Sequence, residues 1–119
     1  MNVNITLKQR DSFREDDDYH PVASILITCD KFTEHIDHAD SGNGTAMDEN
    51  VIDGLSEILY VDHKTGEVDK YDLARTRFYL IADKPEVKRV ALLDEDERSG
   101  QVFFVVPDDD ASIFDITVS

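Results

Sequence analysis

The side chains of this sequence that could do chemistry are mostly carboxylates, and most of them fall in three short runs. Their members are Asp16, Asp17 and Asp18, then Asp94, Glu95, Asp96 and Glu97, and finally Asp108, Asp109 and Asp110. Each run places carboxylates two residues apart, which in an extended chain is about 6.7 Å along one face. Successive phosphates of a nucleic-acid strand have a similar spacing. The runs therefore indicate a surface that binds positive charge and could imitate a row of phosphates.

The whole chain carries the same bias. Its 119 residues contain 12 Lys and Arg against 27 Asp and Glu, a formal net charge of −15 at pH 7. Nucleic acid and anionic membranes repel such a surface, which makes both poor direct partners. A basic protein surface would be attracted, above all one that normally binds nucleic acid. Tyr19, beside Asp18 and His20 in an acidic segment, is the expected contact aromatic, because Tyr is favoured at interfaces.

Two further roles for the acidic runs stay open. Charges at strand ends prevent apolar strands from pairing edge to edge, and the run before residues 101–106 suits that role. Asp also favours turns, so a loop-rich β protein accumulates it, and the acids would then only solubilise the protein. Gatekeeping needs one or two acids at each strand end, whereas these runs contain three or four.

Metal chemistry has little support in the sequence. Residues 37–48 have Asp at the first and last positions and Gly at the sixth, as in an EF-hand-like loop. Ala39 and Ser41, however, stand where two calcium ligands are required. His35 and His38 lack the further ligands that a zinc site needs. We expect neither a metal site nor a cofactor.

Catalysis has no clear candidate either. Cys29 ends an apolar run and is expected to be a small buried residue rather than a nucleophile. No glycine-rich phosphate loop is present, and no serine has the surroundings of a nucleophile elbow. Paired carboxylates are too abundant for one glycosidase-like pair to be distinguished. We therefore expect a binding protein and not an enzyme.

The elements that must position the acidic runs are predominantly β-strands. Alternation of apolar and polar residues predicts a strand over residues 2–8, and the apolar run 22–29 predicts a central strand. Residues 58–61 and 67–71 are predicted to pair across a turn in which Gly66 has positive φ. Further strands are predicted over 75–83, 87–94, 101–106 and 112–118, with the second and third of these paired.

Two stretches are less regular. Residues 30–38 are predicted to form a short helix with Asp30 as its N-cap and Phe32 and Ile36 on one side. Residues 37–50 are predicted to be a flexible acidic loop. The fold class is mainly β, an antiparallel meander forming a small sandwich or barrel with at most one or two short helices. The length favours a single domain over residues 1–119.

These observations lead to a functional hypothesis with two alternatives. The lead is a small acidic binding protein or inhibitor that occupies a basic, nucleic-acid-binding surface of a partner protein. In size and charge alone it resembles acidic DNA mimics such as phage-encoded inhibitors of host nucleases. The alternatives are a structural or assembly module of a phage or secretion particle, acting through sheet-edge contacts, and an immunity protein that neutralises a toxin. No apolar stretch is long enough for a membrane span, and one cysteine forms no internal disulfide, so a cytoplasmic location, in the host if viral, is expected. The oligomeric state is left open.

Overall fold

The computed structural model describes residues 1–11, 18–34, 38–40, 44–71, 79–83, 88–93, 98–107 and 113–119. Within these ranges the regular structure consists of strands, without an α-helix. The strands are β1 (Asn2–Gln9), β2 (His20–Thr28), β3 (Lys31–Thr33), β4 (His38–Asp40), β5 (Thr45–Asp53), β6 (Glu57–Asp62), β7 (Val68–Lys70), β8 (Tyr79–Asp83), β9 (Lys88–Leu93), β10 (Gly100–Val106) and β11 (Phe114–Val118). The described part of the chain contains no helix with the length and apolarity needed to cross a membrane.

The strands form two antiparallel sheets. The first has the order β11-β1-β2-β6-β7, and the second has the order β3-β5-β10-β9-β8, with β4 also paired to β5. The predicted mainly β, antiparallel fold is confirmed, as are the β6–β7 and β9–β10 hairpins. The meander is divided between the sheets: β6 and β7 belong to the first, β8 to β10 run through the second, and β11 returns to the first.

The two sheets pack face to face as a sandwich. Successive residues of a strand point to opposite faces, so Ile5 and Leu7 of β1 point inward while Thr6 points outward. Ile5 and Leu7 share one core cluster with Met47 of β5 and Phe104 of β10, and all four side chains are fully buried. A core built from the inner faces of both sheets is the arrangement of a sandwich.

The β6–β7 turn forms as predicted. The backbone N–H of Gly66 donates to the carbonyl of Asp62 at 2.7 Å, and the N–H of Asp62 donates to the carbonyl of Glu67 at 2.9 Å. Gly66 has a φ of 78°, and a Cβ added there would meet nothing within 4 Å. Glycine is therefore favoured at this position by backbone conformation alone.

The predicted helix over residues 30–38 is wrong. Lys31–Thr33 forms β3 and His38–Asp40 forms β4, and both strands pair with β5. Asp30, the expected helix cap, instead donates its backbone N–H to the carbonyl of Asp53 at 3.0 Å. The spacing of Phe32 and Ile36 fits a helix, but Phe32 packs against the core from β3. The backbone hydrogen bonds that β3 and β4 make with β5 stabilise strands more than the weak helical pattern of residues 30–38 stabilises a helix.

The predicted loop over residues 37–50 is wrong for residues 38–40 and 45–50, which are strands. β5 lies inside its sheet, with β10 on one side and β3 and β4 on the other. Residues 41–43 lie outside the described residues, and the flexibility of this stretch stays a prediction.

A β-bulge accounts for the irregular sequence pattern of β5. Phe104 is opposite Met47 and Val102 is opposite Asn50, so two residues of β5, 48 and 49, face one residue of β10. Asp48 takes a φ of 50° at this point, in the left-handed region that Asp tolerates better than most residues. The extra residue returns Asn50 to the face that Met47 occupies, so both are buried.

The strand predicted over residues 75–83 is β8 from residue 79 onward, and residues 75–78 lie outside the described residues. The radius of gyration of the Cα atoms is 13.8 Å. A compact chain of this length has about 13.5 Å. The single-domain organisation stays a prediction.

Candidate functional site

Nine of the eleven predicted partner-binding residues lie outside the described residues, namely Asp16, Asp17, Asp94, Glu95, Asp96, Glu97, Asp108, Asp109 and Asp110. Asp18 and Tyr19 are described, and both are exposed. The strand ends that border the three acidic runs are also described. Their positions show which runs are attached to the same end of the sandwich.

The strand ends next to the first and third runs lie together. The N–H of Arg10, just after β1, donates to the carbonyl of Ile113, just before β11, at 3.0 Å. Arg10 precedes the first run, and Ile113 follows the third. We call this the Tyr19 end of the sandwich, because Tyr19 lies directly before β2 and His20 pairs with Gln9.

The second run is attached at the opposite end. It follows Leu93 of β9, which pairs with Gly100, and Gly100 also pairs with Ile52 near the end of β5. The N–H of Leu55 donates to the carbonyl of Arg98 at 3.1 Å at the same place. The carbonyl of Asp53 accepts from Asp30, just after β2 and far from its Tyr19 end. The topology therefore attaches two of the runs to one end and the third to the other.

Tyr19 is held by its neighbour across the β1–β2 ladder. The guanidinium carbon of Arg10 lies 5.4 Å from the centroid of the Tyr19 ring, a cation–π contact. The Tyr19 residue is nevertheless 39% exposed. The predicted exposure of this aromatic is confirmed, and its contact with a partner stays a prediction. A ring that is ordered before binding loses less conformational entropy when it is covered.

The rest of the Tyr19 end is polar. His20 Nε2 lies 3.9 Å from Asp11 Oδ1, and both side chains are well exposed. An exposed pair at this distance contributes little stability. Asp11, directly after Arg10, and Asp18, directly before Tyr19, are both exposed to solvent.

A row of polar side chains crosses the outer face of the first sheet near this end. Thr6 Oγ1 donates to Asn4 Oδ1 at 3.1 Å, Thr6 Oγ1 and Ser24 Oγ are 2.9 Å apart, and Ser24 Oγ is 2.7 Å from His63 Nε2. The row combines side chains of β1, β2 and the turn after β6, which are distant in sequence, so no sequence spacing predicts it.

The row contains a serine beside a histidine, an arrangement that nucleophilic catalysis could use. The Ser24 residue is only 2% exposed, however, so its hydroxyl is not displayed to a substrate. The hydrogen bonds of the row instead link β1, β2 and the turn after β6.

A shallow depression of about 330 Å³ adjoins the row on the same face. Leu26 and Leu59 provide its apolar side chains, and Asn2, Thr28 and Glu57 contribute polar ones. Glu57 Oε2 is already paired with Lys70 Nζ at 3.2 Å. The side chains that line the depression are thus of mixed polarity, and the carboxylate of Glu57 among them is already paired.

Cys29 is buried, as predicted, with 2% of the residue exposed. Burial raises the pKa of its thiol, against a smaller opposing effect of the nearby amino terminus. The amino group of Met1 donates to the carbonyl of Cys29 at 2.5 Å, and the N–H of Cys29 donates to the carbonyl of Met1 at 3.0 Å. A buried thiol with a raised pKa is a poor nucleophile. Among the described residues, no group of three or more His, Cys, Asp or Glu could hold a metal ion.

Comparison with protein-family models, with curated proteins and with solved structures found no match for this chain.

Proposed function

We propose that this protein is an acidic binding protein that occupies a basic, nucleic-acid-binding surface of a partner protein and so blocks it. The observation that carries the proposal is the excess of carboxylates, 27 acidic against 12 basic side chains. Such an excess attracts a basic surface over a Debye length of about 8 Å at physiological salt and speeds encounter. The acids would steer the partner, and shorter contacts would then hold it.

The placement of three lysines on the described strands supports this proposal. Lys70 is paired with Glu57, and Lys31 and Lys8 lie directly across the strand ladders from acidic residues. These lysines therefore offset neighbouring carboxylates and do not gather into a basic patch. The net negative charge is left to act on other molecules.

We place the contact surface at the Tyr19 end. This end combines the exposed Asp18 and the ordered Tyr19 ring with the strand ends that border two of the three acidic runs. The second run, 94–97, borders the opposite end, and the seven residues of β10, about 20 Å of strand, separate the two ends. At that distance it would contribute to long-range attraction but not to close contact with the same partner.

The experiment compares equal charge removals at the two ends. The partner is captured from the native host on the immobilised protein, and its association is then measured at several salt concentrations. D16N/D17N/D18N removes three charges from the run that ends before Tyr19, and D94N/E95Q/D96N removes three from the run that follows β9. We expect the first variant to weaken binding about tenfold or more and the second only about two- to threefold, mainly through the association rate.

The alternative roles of the acids lead to different results. If the acids only solubilise the protein, both variants bind like the original chain. If the second run is a gatekeeper, D94N/E95Q/D96N binds normally but aggregates sooner. Equal losses in the two variants would show that total charge matters and that the Tyr19 end does not. Tyr19→Ala then tests whether the Tyr19 ring contacts the partner. Tyr71→Phe is an aromatic control away from that end.

A further inference from the structure

The outer edge of the first sheet is formed by β11, and no other described strand pairs with that edge. The pairing of β11 with β1 is regular throughout, without a register shift. Asn4 and Ser119 exchange two backbone hydrogen bonds, at 2.8 and 2.9 Å. In an antiparallel ladder such pairs alternate with pairs whose N–H and C=O groups point away from each other.

This alternation identifies the backbone groups that the edge presents. Counting from the Asn4–Ser119 pair, Thr117 and Asp115 direct their backbone groups at β1. Phe114, Ile116 and Val118 direct theirs outward. The edge thus presents three N–H and three C=O groups in the alternating arrangement that accepts another strand.

Edge strands are normally protected by shortness, Lys, Pro or bulges. Among the remaining described edges, β3, β4 and β7 have three residues each, and β3 and β7 carry Lys31 and Lys70. β11 has five residues with neither Lys nor Pro, and its one charge is the exposed Asp115. β8 also has five residues, but the residues on both sides of it lie outside the described part of the chain.

We propose that β11 accepts an extended segment of the basic partner as an added antiparallel strand. This inference rests on the proposed function, because it takes the partner to be basic, and it adds the mode of binding. Charge complementarity selects this occupant. An added strand would lie against the exposed Asp115, whose other neighbour across a ladder is Lys8 of β1, and would start or end beside the Tyr19 end, where Asp11 and Asp18 are displayed. A second copy of this chain, itself carrying −15, is electrostatically disfavoured.

The geometry specifies the sequence of that segment. Residues opposite Phe114, Ile116 and Val118 lie toward the inner face, where Phe114 is buried and the other two are half-buried, so they should be apolar. The residue opposite Asp115 lies on the exposed face in a close, non-hydrogen-bonded position, so it should be Lys or Arg. From its N-terminus, the segment reads apolar, any residue, apolar, basic, apolar.

The test uses a synthetic peptide of this pattern, KVTVKVK with blocked termini, titrated into the full-length protein labelled with ¹⁵N. Amide hydrogen exchange should slow at Phe114, Ile116 and Val118 and stay unchanged at Asp115 and Thr117, whose N–H groups already bond to β1. The matched control peptide has the three valines N-methylated, which removes the pairing donors at the same charge. We expect it to bind about tenfold more weakly or not at all.

Protein variants test the charge contact. Asp115→Asn should weaken the unmodified peptide about two- to fivefold. Asp69→Asn, on the edge strand β7, removes the same charge elsewhere and should leave binding unchanged.

Three results would overturn the inference. The first is equal binding of the N-methylated peptide, which would mean that the peptide adheres by charge alone. The second is slowed exchange at the same three amides without peptide, together with a dimer in analytical ultracentrifugation, which would assign the edge to a second copy. The third is no peptide binding while the captured partner still binds and still loses affinity with D16N/D17N/D18N. That third result leaves the proposed function intact, whereas absence of any basic partner would overturn both the proposed function and the basic occupant of β11.

Discussion

β1 and β5 both lie inside their sheets and both place side chains in the same core, yet they achieve this differently. In β1 every second residue points inward, and Ile5 and Leu7 are both fully buried. In β5 the inward residues Met47 and Ile52 are five positions apart, an odd number that would place them on opposite faces of a regular strand. The bulge at residues 48 and 49 adds one residue, which brings Met47 and Ile52 to the same face.

The difference shows where sheet structure depends on local sequence and where it depends on partners. β1 presents an apolar face to whatever strand lies beside it. β5 also buries polar groups, which must be hydrogen-bonded inside the protein. Asn50 is fully buried, and its Nδ2 donates to the carbonyl of Asp48 at 2.8 Å across the bulge. This hydrogen bond is local to β5, but the burial of Asn50 requires the strands that pack around it.

Deleting Asp48 should have the largest effect. The bulge would be lost, and the residues before the deletion would exchange faces, so Met47 would leave the core. We expect destabilisation on the order of 5 kcal/mol, which approaches the whole stability of a typical domain. Urea denaturation measures it, with Val51→Ala on the exposed face of the same strand as control. A deletion variant that unfolds at nearly the original urea concentration would show that the bulge is dispensable.

Glycine substitutions compare a close backbone contact beside β5 with an open turn of the first sheet. A Cβ added to Gly44, just before β5, would lie 2.3 Å from the carbonyl oxygen of Val106, and its φ is 145°. Gly66, in the β6–β7 turn, has a positive φ but open space around it. We expect Gly44→Ala to cost about 3 kcal/mol and Gly66→Ala about 1 kcal/mol. Thermal unfolding of both variants gives the comparison, and equal costs would mean that the close approach at Gly44 relaxes freely.

Removing one polar side chain from each sheet tests the same difference between the sheets. Asn50→Ala removes a hydrogen bond in a fully buried place and should cost about 1–3 kcal/mol. Ser24→Ala interrupts the polar row on the outer face, but water can replace it at the exposed His63, so we expect about 1 kcal/mol or less. Urea denaturation at one pH compares the two. A greater loss for Ser24→Ala would place the more critical polar network in the first sheet.

The smallest effect is expected for the Lys70–Glu57 pair. Its atoms are 3.2 Å apart, but the side chains are 70% and 42% exposed. Solvent screening limits the coupling to about 0.5 kcal/mol or less, measured by a double-mutant cycle of Lys70→Met and Glu57→Gln. Coupling well above this value, or coupling that resists high salt, would show that β7 is held by more than backbone pairing.

Most of the first sheet could be predicted from the sequence. Val3, Ile5 and Leu7 alternate without interruption, and residues 62–66 have the composition of a turn, so β1 and the β6–β7 hairpin follow from local chemistry. The exposure of Tyr19 also follows from its polar neighbours. β3 and β5 could not be predicted in this way, because their burial comes from strands distant in sequence and because a bulge erases the period of two.

The candidate binding surfaces divide in the same way. The sequence by itself determined the net charge, the positions of the acidic runs along the chain and the β character, because each depends on residue type and on neighbours a few positions away. Only the tertiary structure decided that the strand ends of the first and third runs meet beside Tyr19 while the second run borders the opposite end. It also decided that β11 is an edge, with Phe114, Ile116 and Val118 presenting their backbone groups. Strand order and register are set by how the apolar faces of distant segments pack together, and the backbone hydrogen bonds that follow can be made by almost any residue, so no local pattern records them.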